Sequence, residues 1–376
     1  MMVEKSKRLV SLDAFRGITI AAMILVNNPG TWNAVYKPLQ HAHWNGWTPT
    51  DLIFPFFLFI VGVAIVFAFS KRLTLGQTKK DLYLKIIRRT LILFGLGLFL
   101  NGFPFFNLST IRIPGVLQRI AITYFFASII YLNFDIKVIY CITFGILAVY
   151  WIIMKTIPVP GYGAGVLEPV GNLCWYIDSH IFRGHTWAGA PAPGFDPEGL
   201  LSTLPAISSV LFGILTGNYI KRKINEYEKV SSLFVWGFFA VIGGYIVSIW
   251  FPINKNLWTS SYVLLTTGMA LIFLATCYWL IDIKGYKKWS VPFLIYGSNA
   301  ITVYTLSGII ARMLIFLFKV KLGDGEVITL KAYLFRTLFA SWLPPHQASL
   351  AYAIVYDLIL LGFMTILYKK KIFIKV

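Results

Sequence analysis

Acidic side chains are scarce in this chain: its 376 residues hold 15 Asp and Glu against 34 Lys and Arg, a formal net charge of +19. Charge of either sign is thin, at 13% of residues, where soluble domains carry about 25%. Hydrophobic residues make up 57%, and mean hydropathy is +0.71. These shortages exclude a water-soluble globule. Cysteine is nearly absent. Cys141 and Cys277 fall in apolar runs and Cys174 in a loop, which supports neither a metal site nor a disulfide framework. Also missing are an internal repeat, a stretch able to fold alone as a soluble domain, and a small-x-small cleavage site after the first apolar run. That run is therefore read as a retained span.

What is present is a series of apolar runs of roughly 18–22 residues, the length that crosses a ~30 Å hydrocarbon core as helix. They predict an all-α integral membrane protein, a polytopic bundle of about ten transmembrane helices, with residues 1–376 as one transmembrane domain. The spans are read at 12–30, 52–70, 86–104, 115–133, 136–154, 200–218, 232–251, 258–281, 292–318 and 349–368. Gly297, Ser298 and Asn299 interrupt the ninth, which is expected to be broken or tilted. The basic excess does not require nucleic acid. Lys71, Arg72, Lys79, Lys80, Lys85, Arg88 and Arg89 share one connection, and Lys221 to Lys223, Lys284 to Lys288 and Lys369 to Lys371 fall on the same side of an alternating topology. The positive-inside rule puts that side, and both termini, in the cytoplasm.

Several polar groups sit at the opposite end. His41-Ala-His43-Trp44-Asn45-Gly46 and Asp51 lie between the first two spans, just beyond Asn27 and Asn28. Two imidazoles, amides and a carboxylate at a membrane boundary suit general-base or acyl-transfer chemistry, the carboxylate fixing the ring's tautomer. Ordinary helix capping is the plain alternative. A metal is the weaker reading, since His-x-His finds no third ligand at a convincing spacing. Arg112 to Arg119 opens the fourth span, Asp196-Pro-Glu198-Gly199 precedes the sixth, and Asn254-Lys-Asn256-Leu-Trp258 precedes the eighth. Polar residues entering spans are costly unless they face a protein-lined cavity. The 155–199 connection is rich in Gly, Pro and aromatics, and reads as a carbohydrate-facing lid or an interfacial aromatic belt. At the cytoplasmic face, Asp13 and Arg16 share a helix face and can pair, as a helix-start ion pair or as an anion site.

Ser-Leu-Asp-Ala-Phe-Arg-Gly (11–17), His-Ala-His-Trp-Asn-Gly (41–46), Asp-Leu-Ile-Phe-Pro (51–55), Arg-Ile-Pro-Gly-Val-Leu-Gln-Arg (112–119), Phe-Asp-Pro-Glu-Gly (195–199) and Pro-Ile-Asn-Lys-Asn-Leu-Trp (252–258) stand in one order. Together with the C-terminal Tyr-Lys-Lys-Lys-Ile-Phe (368–373), they make the chain resemble a bacterial member of the heparan-α-glucosaminide N-acetyltransferase family, over essentially its whole length. The resemblance implies a transmembrane acetyltransferase of the bacterial cytoplasmic (inner) membrane. It would move an acetyl group from cytoplasmic acetyl-CoA, without a metal, to a glucosamine-like amino sugar of an extracytoplasmic glycan. The family's active histidine maps to His41, with His43 at a variable position, and its functional asparagine maps to Asn27.

The expected roles are His41, Asn27, Asn45 and Asp51 in catalysis, and Arg16, Arg88, Arg89, Arg119 and Lys221 on the CoA. Trp44, Asp196, Glu198, Asn254, Asn256 and Trp258 are expected on the glycan. The bilayer and the amino-sugar glycan are the implied partners, nucleic acid is not, and a homodimer is left open. A glucosamine amine must lose a proton before attacking a thioester, and neutral imidazole, with an ordinary pKa of ~6.5, can take it. Attack by the imidazole itself, giving an acyl intermediate, is equally compatible. The rival class is a transporter or flippase for an envelope saccharide; the polar cluster at one end of the bundle rather than its midplane favours catalysis.

Overall fold

The computed structural model of the chain describes residues 9–323 and 325–374. In chain order its helices are α1 (Val10–Asn27), α2 (Ile53–Thr74), α3 (Lys79–Gly102), α4 (Val116–Asn133), α5 (Ile136–Thr156), the short α6 (Leu173–Ile181), α7 (Thr203–Ile220) and α8 (Glu226–Val247). They continue with α9 (Ser260–Cys277), α10 (Val291–Ser298), α11 (Ala300–Arg312), the short α12 (Leu330–Phe335) and α13 (Pro345–Lys369). Two small antiparallel hairpins, at 158–164 and 319–329, are the only sheet among the described residues. A helical bundle is what lipid permits, because each backbone group must find its partner inside the segment.

Nine helices among the described residues are long and apolar enough to cross a membrane. α3 has the length but carries Lys79, Lys80, Asp81, Lys85, Arg88 and Arg89 in its first three turns, so only its second half is uniformly apolar. Each of the ten expected spans overlaps one of these helices. The ninth is divided: Asn299 leaves helical geometry between α10 and α11. Its buried side-chain amide donates to the Ile372 carbonyl at 3.1 Å and accepts from Ile374 N at 2.9 Å, so the residue at the break ties the C-terminal segment to the bundle.

The centre of the bundle is α2 against α7. Buried residues make up 72% of the first and 83% of the second, against 22% for α5 and α8, which turn most of their surface outward to lipid. Close approach at the centre depends on glycine. A Cβ on Gly62 would stand 1.9 Å from the Val210 carbonyl oxygen, and one on Gly213 2.0 Å from that of Phe59. The same device joins α1 to α10, where a Cβ on Gly17 would meet the Phe293 carbonyl. Small residues at crossings are how helices pack where lipid weakens the hydrophobic drive between them.

The connections α1–α2, α3–α4, α5–α7, α8–α9 and α11–α13 gather at one end and bond to one another. Gly46 N donates to Ile253 O, Ile113 N to His185 O, Gly30 N to Ser349 O, and Trp44 Nε1 to Leu167 O. The long α5–α7 connection is a packed cap with its own core. Trp44, Tyr150, Cys174, Phe195, Phe251 and Leu257 are buried together there, and Asn172 caps α6 by accepting from Trp175 N at 2.8 Å.

Candidate active site

Thr48-Pro-Thr-Asp51 forms a capping box at the entry to α2. Pro49 takes the first helical position, the Thr48 hydroxyl faces the Asp51 amide, and Asp51 reaches back to the Thr48 amide, the pattern that stabilises a helix start. The box leaves the two carboxylate oxygens of Asp51 with different work. Oδ2 accepts from Ala42 N and Thr48 N, both at 3.0 Å, and from Thr48 Oγ1 at 3.2 Å. Oδ1 is left for His41, whose Nδ1 lies 2.7 Å away. Asp51 is 1% exposed at its side chain, while half of the His41 side chain is open. A buried carboxylate on Nδ1 assigns the proton there and leaves the lone pair on Nε2.

A second segment closes over the first. In Pro252–Trp258, Asn254 Oδ1 accepts from Leu257 N at 2.9 Å, making a local turn, and Asn254 Nδ2 donates to Asn45 Oδ1 at 3.1 Å. The turn ends at Trp258, which sits at φ 53 and buries its ring against Phe54 and Tyr262. Lys255 projects from this turn to 3.0 Å from His41 Nδ1 and 3.5 Å from Asp51 Oδ1. Burial lowers the pKa of Lys255, with Asp51 and Glu198 opposing that shift.

A third group faces them. Arg112 Nε and Nη2 grip Asp196 Oδ2 and Oδ1 at 2.8 and 2.6 Å, a bidentate pair, and Nη2 also meets Glu198 Oε2 at 2.5 Å. Asp196 further accepts from Trp187 N and Glu198 N, both at 2.9 Å. Burial disfavours both charges, but the Asp196 and Glu198 contacts raise the pKa of Arg112 overall, and Arg112, Arg119 and Lys255 hold Glu198 below its ordinary value. Removing one partner from such a buried cluster costs about 3–5 kcal/mol.

These groups line one cavity of about 710 Å³. His41, His43, Asp51, Asn27, Asn28, Arg112, Glu198, Lys255 and Asn256 border it, and α3, α4 and α11 add Asn101, Gln118, Tyr304, Ser307 and Arg312. Gln118 is 2% exposed and its Nε2 has no hydrogen-bond partner among the described residues. The Asn27 carboxamide makes no hydrogen bond to another described residue. The site therefore joins a histidine with an oriented proton, a nearby cation and a further carboxylate in the cavity wall, which suits acid–base chemistry on a bound amine or hydroxyl.

The structure brings His41, Asn27, Asp51, Glu198 and Asn256 to this cavity. Asn45 and Asn254 stand just behind it and tie the two loops together. Trp44 packs in the cap core on Phe195, Trp258 donates to Ser209 Oγ at 3.1 Å in the bundle, and Asp196 holds Arg112; none of the three borders the cavity. Arg119 does not border it either. It is 1% exposed, lies over Trp258 at 4.9 Å and donates to Ser202 Oγ and the Gly199 carbonyl. Arg16 pairs with Asp13 at 3.2 Å and with the Gly297 carbonyl at 3.3 Å. Arg88 is exposed, Arg89 lies over Tyr124 at 4.7 Å, and Lys221 reaches Ser70 Oγ. All four are at the opposite end. The sequence reading passed over Lys255, Tyr304 and Arg312. Lys255 had a signal, standing inside a motif already singled out; Tyr304 and Arg312 sit in an apolar run with none. Among the described residues, no group of three His, Cys, Asp or Glu is arranged to hold a metal.

Comparison with known proteins gives two findings. The family model described as "Heparan-alpha-glucosaminide N-acetyltransferase, catalytic" matches residues 8–252. Heparan-alpha-glucosaminide N-acetyltransferase of Mus musculus is 28% identical over 428 residues, covering 99% of this chain and 61% of that protein. The Homo sapiens protein of the same name is 28% identical over 425 residues, covering 98% and 60%. The chain thus spans about three fifths of the length of these relatives.

Proposed function

From its place in the heparan-alpha-glucosaminide N-acetyltransferase family, to which this chain belongs, we propose that it is a transmembrane acetyltransferase, moving an acetyl group from cytoplasmic acetyl-CoA to the amine of a glucosamine-like sugar at the opposite face. The observation that carries this reading is the His41–Asp51 pair in a cavity that Glu198 also lines. The positive-inside pattern supports placing both termini in the cytoplasm, here of a bacterial inner membrane, and the loop-rich end outside.

The residues present fit the donor's chemistry. Gln118, whose Nε2 has no hydrogen-bond partner among the described residues, and Asn27 present amides in the cavity wall, suited to an arm that itself carries amides. The headgroup phosphates stay with Arg16, Arg88, Arg89 and Lys221, because charged phosphates do not enter hydrocarbon cheaply. From Arg16 to Asn27 is eleven residues of α1, about 16 Å of helix at 1.5 Å per residue, a distance that a thin pantetheine arm spans.

In this reading Glu198 receives the acceptor's ammonium group and hydroxyls, and Asn27 donates to the thioester carbonyl oxygen. His41, with Nδ1–H given to Asp51, uses its Nε2 lone pair to take the amine proton. The same lone pair serves an acetyl-imidazole route. The test is incubation of the purified protein with labelled acetyl-CoA and a panel of amino sugars, then the same reaction in oriented vesicles. Product outside when acetyl-CoA is supplied only inside is the expected result. Acetylation of no amino sugar overturns the activity, and acetylation only with both substrates on one side overturns its transmembrane character.

A further inference from the structure

The His41 lone pair has a neighbour that the acetyl-transfer reading does not use. Lys255 Nζ lies 3.0 Å from His41 Nδ1, 3.3 Å from Nε2 and 3.5 Å from Asp51 Oδ1. Its segment is stapled to the histidine's own: Gly46 N donates to Ile253 O at 2.8 Å, and Asn254 Nδ2 donates to Asn45 Oδ1 at 3.1 Å. Asn254 Oδ1 and Thr259 Oγ1 close the turn from within, accepting from Leu257 N and Asn254 N. A long flexible side chain is thereby delivered to one place from a rigid base.

We propose that Lys255 is a further catalytic residue, whose ammonium stabilises the oxyanion that forms at the acetyl carbonyl. The proposal rests on the acetyl-transfer reading above.

The charged groups around His41 leave that part to Lys255. Asp51 is taken up by Nδ1 and its own loop, and Arg112 is bonded to both Asp196 and Glu198; His43, Tyr304 and Arg312 complete the titratable and charged lining. Lys255 is thus the nearest cation to the reacting nitrogen, set against the nearest carboxylate.

The role follows from position. The acceptor enters the step as the free amine, its ammonium proton having passed to solvent; as its nitrogen bonds to the thioester carbonyl carbon, the carbonyl π pair moves to oxygen and His41 Nε2 takes a proton from nitrogen. The oxyanion pair then re-forms the carbonyl, the C–S bond breaks, and the departing thiolate receives the proton from His41. Lys255 donates hydrogen bonds to the oxyanion and keeps its own protons throughout. A fixed cation beside developing negative charge in a partly dry site is worth about 10²–10³-fold in rate.

The test is the steady-state rate of transfer from labelled acetyl-CoA to glucosamine in proteoliposomes, for the unaltered protein and for Lys255→Met, Lys255→Arg and His41→Ala. Lys255→Met should lower kcat by about 10²-fold with KM for acetyl-CoA little changed. Lys255→Arg should recover part of the rate. A purely structural residue would lower the yield of folded protein and leave kcat per folded molecule unaltered. Unaltered kcat in Lys255→Met, or a slow variant with no recovery by Arg, overturns the proposal. His41→Ala separates the two levels: if it stays active, the reading of His41 itself fails, whereas an inactive His41→Ala beside an unaltered Lys255→Met removes Lys255 alone.

Discussion

At the loop-rich end the Asp51 carboxylate is met by the His41 ring, two backbone amides, a hydroxyl and the Lys255 ammonium, whereas at the opposite end Lys221 has Ser70 as its one hydrogen-bond partner among the described residues and Arg88 stands exposed. The contrast separates two reasons for polarity in a membrane protein. Cations on a cytoplasmic face cost little and satisfy topology by their sign alone. A buried carboxylate costs free energy unless several donors meet it, and those donors here come from segments more than 200 residues apart. The first arrangement needs only composition; the second needs the whole fold.

The largest break in that comparison should come from the imidazole. His41→Ala is expected to lower acetyl transfer by at least about 10³-fold, the scale of a lost catalytic base. His43→Ala, which removes a ring that borders the same cavity but makes no hydrogen bond to another described residue, should stay within a few-fold. Steady-state rates of both variants, matched for folded protein by size-exclusion profile, check the pair. Reversed outcomes would move the catalytic role to His43.

Asp51→Asn should fall next, by about 10²-fold or more in kcat, because the amide no longer fixes the proton on His41 Nδ1. It also places an N–H2 group where Oδ1 or Oδ2 now accepts, so one of the Ala42, Thr48 or His41 contacts must be lost. A donor KM that holds while kcat drops would locate the damage at His41. Equal losses in folded yield and rate would instead make Asp51 a structural staple of the loop.

The two ends also differ in how far they can be read from the amino-acid order. The helices were legible because lipid imposes a fixed length of apolar run, and the division of the ninth span at Asn299 was legible because Gly-Ser-Asn interrupts such a run. The His41–Asp51 pairing was legible because ten residues of one loop hold both partners. Legibility ended where partners are remote. Trp44 and Trp258 belong to motifs beside the site yet serve as core, since a ring of that size is buried wherever a polar handle finds an acceptor. Arg119 looks like a cavity cation, but the fold aims it at Ser202 and the Gly199 carbonyl. Tyr304 and Arg312 reach the cavity only because α11 packs beside α1 and α3, which no local pattern encodes.

A smaller effect, on stability, should come from the cap. Asp178 in α6 is buried with Oδ2 unpartnered. Burial pushes its pKa up to about 7, and the Asp196 charge adds to this while the Leu200 amide opposes it. Between about pH 4 and 7 the folded cap therefore binds a proton that the unfolded chain, with an ordinary carboxyl near 3.8, does not. Stability must decline as pH rises through that window. Thermal-inactivation half-times in detergent should shorten from pH 5 to pH 7.5, and Asp178→Asn should flatten that dependence. An unaltered slope in the variant would assign the pH dependence elsewhere.

The smallest effect is expected at the opposite end, and it tests whether its cations do anything beyond setting topology. Arg88 is solvent-exposed beside Lys85, and Lys221 is bonded to a single hydroxyl. Charges in such settings interact by about 0.2–1 kcal/mol with a partner, so each of Arg88→Gln and Lys221→Gln should raise KM for acetyl-CoA by about fivefold at most. Neither touches the cavity, so kcat should hold. Dephospho-CoA-derived donor, which offers fewer charges, should respond less than acetyl-CoA. Because screening shortens to about 3 Å at 1 M salt, high salt should erase the difference between variant and unaltered protein. If KM and its salt dependence are unmoved in the double variant, these residues orient the chain and nothing more. If kcat falls as well, the two ends are coupled through the bundle, and the division drawn between a cheap basic surface and an interlocked site no longer holds.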